Sequence, residues 1–170
     1  FDDGEHRDLR NEALYKPVFK LFDLYGIEWR VEFSPNTGQV GNHQRALETC
    51  KTKYLWRLDD DNIADPGVLE TLLSTIKSDK TIGAVGGCVI DTNREILVDP
   101  KAASSKIEDI FLGANEQWFK YTDTKLREVD HLYSTFLYRT SAGAHGYNRN
   151  LSKVGHREET IFTYEMKRAG

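Results

Sequence analysis

Apolar residues recur along the chain with two periods, and the switches between them outline alternating helices and strands. Over residues 5–25, Leu9, Ala13, Leu14, Val18, Leu21 and Phe22 fall at helical spacing, and Gly26 ends the run. Pro17 lies inside that stretch and predicts a kink or a division into two helices. Residues 27–33 then alternate Ile, Trp, Val and Phe with polar or charged neighbours, which is the period of a strand. A loop over 34–38 leads to a helix over 40–50 and a strand over 54–58. Asp65 and Pro66 predict an N-cap and first helical position, and Val68, Leu69, Leu72, Leu73 and Ile76 form the core stripe behind them. Residues 82–90 are mostly apolar but carry Gly83, Gly86 and Gly87, as in a strand that something approaches closely. Residues 91–128 resist a periodic reading, with 95–98 a candidate strand and 107–119 aromatic and mixed. A strand over 129–138 and a helix over 158–167 complete the pattern.

Strands and helices that alternate in this way predict an α/β fold, with a parallel or mixed sheet covered by helices. In open sheets of that kind, ligands bind beyond the carboxyl ends of the strands. The chain has 170 residues, about one domain, of which 39% are hydrophobic and 29% charged, so it can bury a core and is not a disordered segment. Its formal net charge of −4 argues against a chain whose whole surface binds nucleic acid, while leaving room for a local basic patch. No apolar run approaches the length of a membrane span. Cys50 and Cys88 stand alone at no metal-ligand spacing, which predicts buried free thiols and a reducing compartment.

The chemistry concentrates where the strand over 54–58 runs into Asp59, Asp60 and Asp61. Three adjacent carboxylates repel one another, and water, protonation or a cation must relieve the repulsion. Most short acidic runs are solvated turns. At the edge of a sheet, however, oxygen ligands suit Mg²⁺ or Mn²⁺, and the metal can hold phosphates. A calcium-binding EF-hand loop is excluded, because Ile63 falls at a ligand position and the required glycine and closing glutamate are misplaced.

Four motifs occur in order: Phe-Asp-Asp-Gly at 1–4, Pro-Asn-Thr-Gly-Gln-Val-Gly at 35–41, Leu-Asp-Asp-Asp-Asn at 58–62 and Gly-His-Arg-Glu-Glu-Thr at 155–160. Together they resemble the family 2 glycosyltransferases of the GT-A fold, over nearly the whole chain. The resemblance implies one catalytic domain over 1–170 that lacks the family's usual first strand and helix, with the C-terminus open to a similar truncation. A second chain or partner segment would then complete the sheet. It also implies a transferase that moves a sugar from a nucleotide-diphosphate donor, a UDP-sugar first, to an acceptor hydroxyl with inversion. Polysaccharide or glycoconjugate synthesis in the cytoplasm, at the membrane face through regions outside this chain, would be the setting.

Roles carry over residue by residue. Asp2 and Asp3 resemble the aspartates that meet the nucleotide base, although an Asp-Gly pair alone is equally a turn. Gly38 belongs to the loop beneath the nucleotide, and Arg45 would meet the base or a phosphate. Asp61 would bind the divalent Mn²⁺ or Mg²⁺, Asp59 would touch ribose or metal, and Asp60 holds the variable position. Glu159 corresponds to the general base and Glu158 to its neighbour, with glutamate where aspartate is commoner at the second place. Acidic residues in a helix's first turn also favour its dipole, so the pair alone proves little.

His156 adjoins that pair and would orient the acceptor or a phosphate, while His131 and His145 are weaker candidates for a metal shell. Trp29 and Trp56 fall in strands and predict core positions, which leaves Trp118 as a sugar-stacking candidate. Two other classes compete with glycosyl transfer. One is a metal-dependent nucleotidyltransferase or phosphotransferase, although the chain has no G-x-x-x-x-G-K-[ST] phosphate loop. The other is a non-catalytic carbohydrate-binding domain of the same fold.

Overall fold

The protein is described from a computed structural model, which covers residues 8–89, 96–98, 119–121, 125–153, 155 and 157–170. The first helical stretch is divided, as Pro17 predicts. A 3-10 turn spans Leu9–Asn11, and helix α1 runs over Lys16–Leu24 with the proline in its opening turn, where no backbone N–H is needed. Helix α2 spans Gly38–Thr49, strand β1 Tyr54–Arg57, helix α3 Val68–Ser78 and helix α4 Glu158–Ala169. Strands β2 (Ala84–Val85), β3 (Ile96–Val98), β4 (Phe119–Tyr121) and β5 (Phe136–Arg139) are short.

Strand β5 lies between β1 and β2 in a three-stranded sheet and runs antiparallel to both, with Trp56 opposite Leu137 and Val85 opposite the same residue. Strands β3 and β4 form a separate parallel pair. Both ladder types are therefore present, but the described main sheet is antiparallel. Because β5 is central, both of its faces are covered. Alternation sends Phe136 and Tyr138 to one side, where they pack with Val40, Tyr147, Phe162 and Met166, and Leu137 to the other, with Leu72, Ile76 and Val85. Arg139 ends the strand and donates to the carbonyls of Ile76, Asp79 and Ile82, so it satisfies the free acceptors at the C-terminal end of α3.

Several expectations change. Residues 27–33 form no ladder beyond an isolated bridge at Phe33. Trp29 instead leaves the core position expected of it and packs on Phe19 of α1 at 4.4 Å between ring centroids, while its indole donates to Asp23. The strand expected over 82–90 closes after two residues, before the glycine pair, and that over 129–138 begins only at Phe136. The cap of α3 is Gly67 rather than Asp65: the backbone there is left-handed at φ 82°, which glycine accepts without strain. Cys50 is half-buried and Cys88 exposed, so neither thiol is the buried group expected. No described helix is long and apolar enough to cross a membrane.

Candidate active site

Strand β1 carries apolar Tyr54, Leu55 and Trp56 into the sheet and then delivers a charge, Arg57, at its last position. Arg57 is only 3% exposed and lies over the ring of Phe136. A buried guanidinium needs partners. It finds Asp59, two residues on, with Nε 3.3 Å from Oδ1, and Glu158 of α4, with Nη2 2.9 Å from Oε1. The loop before β5 clamps the same strand end. Thr135 donates to the Arg57 carbonyl at 2.7 Å, and the Ser134 hydroxyl donates to Asp59 Oδ2 at 3.1 Å while accepting from Asn62. Ser134 reaches this place with a left-handed backbone, φ 60°.

On the opposite side, α4 opens directly into the site. Glu158 and Glu159 occupy its first turn, where the helix dipole favours negative charge, yet they are 2% and 4% exposed. Burial, together with a hydrogen bond shared with Glu159, pushes Glu158 up to about 7, although Arg57 pulls the other way. His43 of α2 stands 3.8 Å from the same carboxylate and stacks on Tyr147, which itself stacks on Phe162. Burial first, and then the nearby Arg57 charge, push His43 down to about 3, so its imidazole is neutral at physiological pH. The Arg57–Glu158 contact is close but poorly aligned. Arg57 Nη1 and Glu158 Oε1 both remain buried without a hydrogen-bond partner.

These groups frame a cleft of about 260 Å³ lined by Gln39, Arg57, Asp59, Asp61, Asn62, Val89, Tyr133, Ser134, Arg157, Glu158 and Glu159. A larger hollow of about 670 Å³ adjoins it, shares Gln39, Arg57, Asp59 and Asp61, and adds Asp60, His43, Trp56, Tyr138 and Tyr147. Asp59, Asp61, Glu158 and Glu159 thus come together, whereas Asp60 faces only the hollow. Gly38 is buried at the start of α2, where a Cβ would collide with the Lys153 carbonyl, and the Gln39 N–H donates to that carbonyl at 3.1 Å. The glycine therefore locks α2 to the loop before α4 and places Gln39 at the cleft. Arg45 is not brought in, since it pairs with Glu32 at 3.0 Å. His145 bonds the Phe162 carbonyl, and His131 lines neither cavity. Trp56 packs beside the Leu72 and Ile76 cluster and lines the hollow. Asp2, Asp3, Trp118 and His156 lie outside the described residues.

Among the described residues no group of three acidic, histidine or cysteine side chains could hold a metal alone. A hard divalent ion here would have carboxylate oxygens from Asp61 and Asp59 as its protein ligands and would take the rest of its shell from water and substrate. Both Asp59 oxygens are already engaged, while Asp61 is exposed at the mouth of the cleft. Sequence reading missed Arg57, Ser134, Tyr133, Arg157 and the His43–Tyr147 stack. Arg57 alone had left a signal, as a charge within an otherwise apolar strand.

Comparison with known proteins follows the same lines. The sequence model of glycosyl transferase family 2 matches residues 7–142. Chondroitin synthase of Pasteurella multocida (strain Pm70) is 27% identical over 135 residues, covering 77% of this chain and 13% of that protein. Hyaluronan synthase of Pasteurella multocida shows the same 27% identity over 135 residues, with the same coverage. The chain therefore spans about 13% of the length of these curated relatives.

Proposed function

The chain belongs to glycosyl transferase family 2 and is a domain of a glycosyltransferase; from this premise we propose that its cleft transfers a sugar, with inversion, from a nucleotide-diphosphate donor to an acceptor hydroxyl. The observation that carries the reading is the meeting of Asp59 and Asp61, just after β1, with Glu158 and Glu159 from α4 in one cleft. Similarity to chondroitin and hyaluronan synthases supports a polysaccharide acceptor.

In this reading Glu159 is the general base. It lines the cleft and enters no ion pair with a described residue, whereas Glu158 is held between Arg57 and His43. Glu159 takes the proton of the acceptor hydroxyl as that oxygen bonds to the anomeric carbon. The bond from that carbon to the diphosphate breaks on the opposite face, and its electron pair leaves with the nucleoside diphosphate. Asp61, with Asp59 beside it, would hold Mn²⁺ or Mg²⁺. Such an ion, when bound, neutralises charge on the departing diphosphate. Ser134 and Arg57 keep the Asp59 carboxylate oriented, and burial keeps water away from the base.

The test is product analysis with UDP-, GDP- and dTDP-sugars in the presence of Mn²⁺. Release of nucleoside diphosphate by wild-type protein, and a fall on the order of 10²–10⁴ in rate for Glu159→Gln, are the expected results. Release of pyrophosphate would reassign the chain to nucleotidyl transfer. Donor binding without any release would make it a non-catalytic domain.

A further inference from the structure

Taking the cleft as a transferase site, we propose that Arg157 selects the acceptor by holding an anionic group on it, a carboxylate set close to the hydroxyl that reacts. Arg157 lines the cleft with an exposed side chain, and its guanidinium lies 5.9 Å from the centre of the Tyr133 ring. Asp59, Asp61, Glu158 and Glu159 line the same space, yet Arg157 forms no ion pair with them or with any other described residue. The second arginine of the cleft is committed: Arg57 is buried against Glu158 and Asp59. Among the described residues, one accessible cation thus faces a cleft otherwise rich in carboxylates.

Two further observations point to an oxyanion. Arg57, which lines the same cleft, keeps Nη1 as a buried donor with no hydrogen-bond partner, on a side chain that is 2% exposed, so a donor there remains open to an acceptor oxygen. Arg157 moreover has φ 64° and ψ 27°, a left-handed conformation that glycine adopts freely and arginine does not. Backbone geometry alone would favour glycine here, so the side chain has to be explained by what it touches. A guanidinium fork matches a carboxylate with two parallel hydrogen bonds, and the Tyr133 ring beside it offers a flat apolar face to a sugar.

Position decides which substrate carries the anion. Arg157 is two residues before Glu159 on the same turn, and the group presented to Glu159 is the acceptor hydroxyl. Asp59 and Asp61, where a diphosphate would be held, come from a different element, the turn that follows β1. The anion near Arg157 therefore belongs to the acceptor, as in a uronic acid residue at the end of a glycan.

The experiment compares wild type, Arg157→Gly and Arg157→Lys on two oligosaccharide acceptors, one ending in glucuronate and one in glucose. Binding of each acceptor and of UDP with Mn²⁺ is measured in parallel by calorimetry. Arg157→Gly suits the left-handed backbone, so thermal melting should show no loss of fold. Its kcat/KM should fall about 10- to 100-fold with the glucuronate acceptor and change little with the glucose acceptor. Arg157→Lys, which keeps the charge but loses the fork, should lie between. Equal effects on both acceptors, or none, would overturn the assignment. So would a loss of UDP affinity with acceptor selectivity intact, since that outcome gives Arg157 to the donor. If wild-type protein releases no diphosphate from any donor, the transferase reading fails, and the binding of the two oligosaccharides still decides the role of Arg157.

Discussion

Stability should respond to pH through two buried groups that act in opposite directions. Glu158 lies between Arg57 of β1, His43 of α2 and its own neighbour Glu159, with its pKa raised from 4.5 to about 7. An acid whose folded value is raised adds stability that is complete below its unfolded value and is lost as pH rises through the folded one. Between pH 5 and 8 that loss is about 2–3 kcal/mol, since each pH unit between the two values is worth about 1.4 kcal/mol. His43 has the opposite sign, because its folded value falls from 6.5 to about 3. Its stability is present above 6.5 and is lost as pH falls, by about 2 kcal/mol at pH 5. The two terms largely cancel, so wild type should change by only about 1 kcal/mol between pH 5 and 8.

Glu158→Gln removes one term and His43→Gln the other. For a chain of this length 1 kcal/mol moves the melting midpoint by roughly 2–4 °C. Melting followed by circular dichroism at constant ionic strength should show Glu158→Gln gaining stability from pH 5 to 8. Its change should differ from that of wild type by roughly 5–10 °C. His43→Gln should instead lose stability over the same range, more steeply than wild type. Comparing changes with pH, rather than absolute midpoints, cancels the cost of each substitution itself. A Glu158→Gln profile parallel to wild type would refute the buried, raised carboxyl.

Other substitutions test separate parts of the site. Arg57→Met leaves Glu158 buried without its counter-charge and should cost about 3–5 kcal/mol in urea unfolding, most of it regained in Arg57→Met with Glu158→Met. Asp61→Asn should weaken the Mn²⁺ response of donor binding by about tenfold or more, while Asp60→Asn, on the side facing the hollow, should leave it near wild type. Ser134→Ala frees Asp59 Oδ2 and should reduce donor affinity by about fivefold, read by calorimetry with UDP and Mn²⁺.

Elements that a local pattern can specify were legible in the chain. Helices α2, α3 and α4 begin within two or three residues of their expected starts, because 3.6-residue periodicity and chain stops act within one segment. Strands were less legible, since a ladder needs a partner that the alternating pattern does not name. Residues 27–33 have the alternation, but no described strand lies beside them to form a ladder. Residues 129–135 read as strand, yet Ser134 turns the backbone to φ 60° and Thr163 of α4 ties the Leu132 amide at 2.8 Å. The acidic groups stood out as short runs of like charge. Their counter-charges did not, because only the fold sets Arg57 beside Glu158, a hundred residues away.

The Arg57–Glu158 pair bears on which glutamate acts as the base. A buried ion pair with poor alignment and two unpartnered atoms adds little to stability, because desolvation offsets most of the attraction. Its more useful consequence is asymmetry. Arg57 fixes Glu158 on one side and Asp59 on the other, so the strand end and the helix start cannot drift apart. Burial and its bond to Glu159 raise Glu158, while Arg57 and His43 hold it in place, so this carboxyl is engaged on the protein side of the cleft. The two carboxyl groups thus divide their work by environment rather than by residue type. Glu158 joins β1 to α4, and Glu159, with no ion pair to a described residue, is left to meet the hydroxyl.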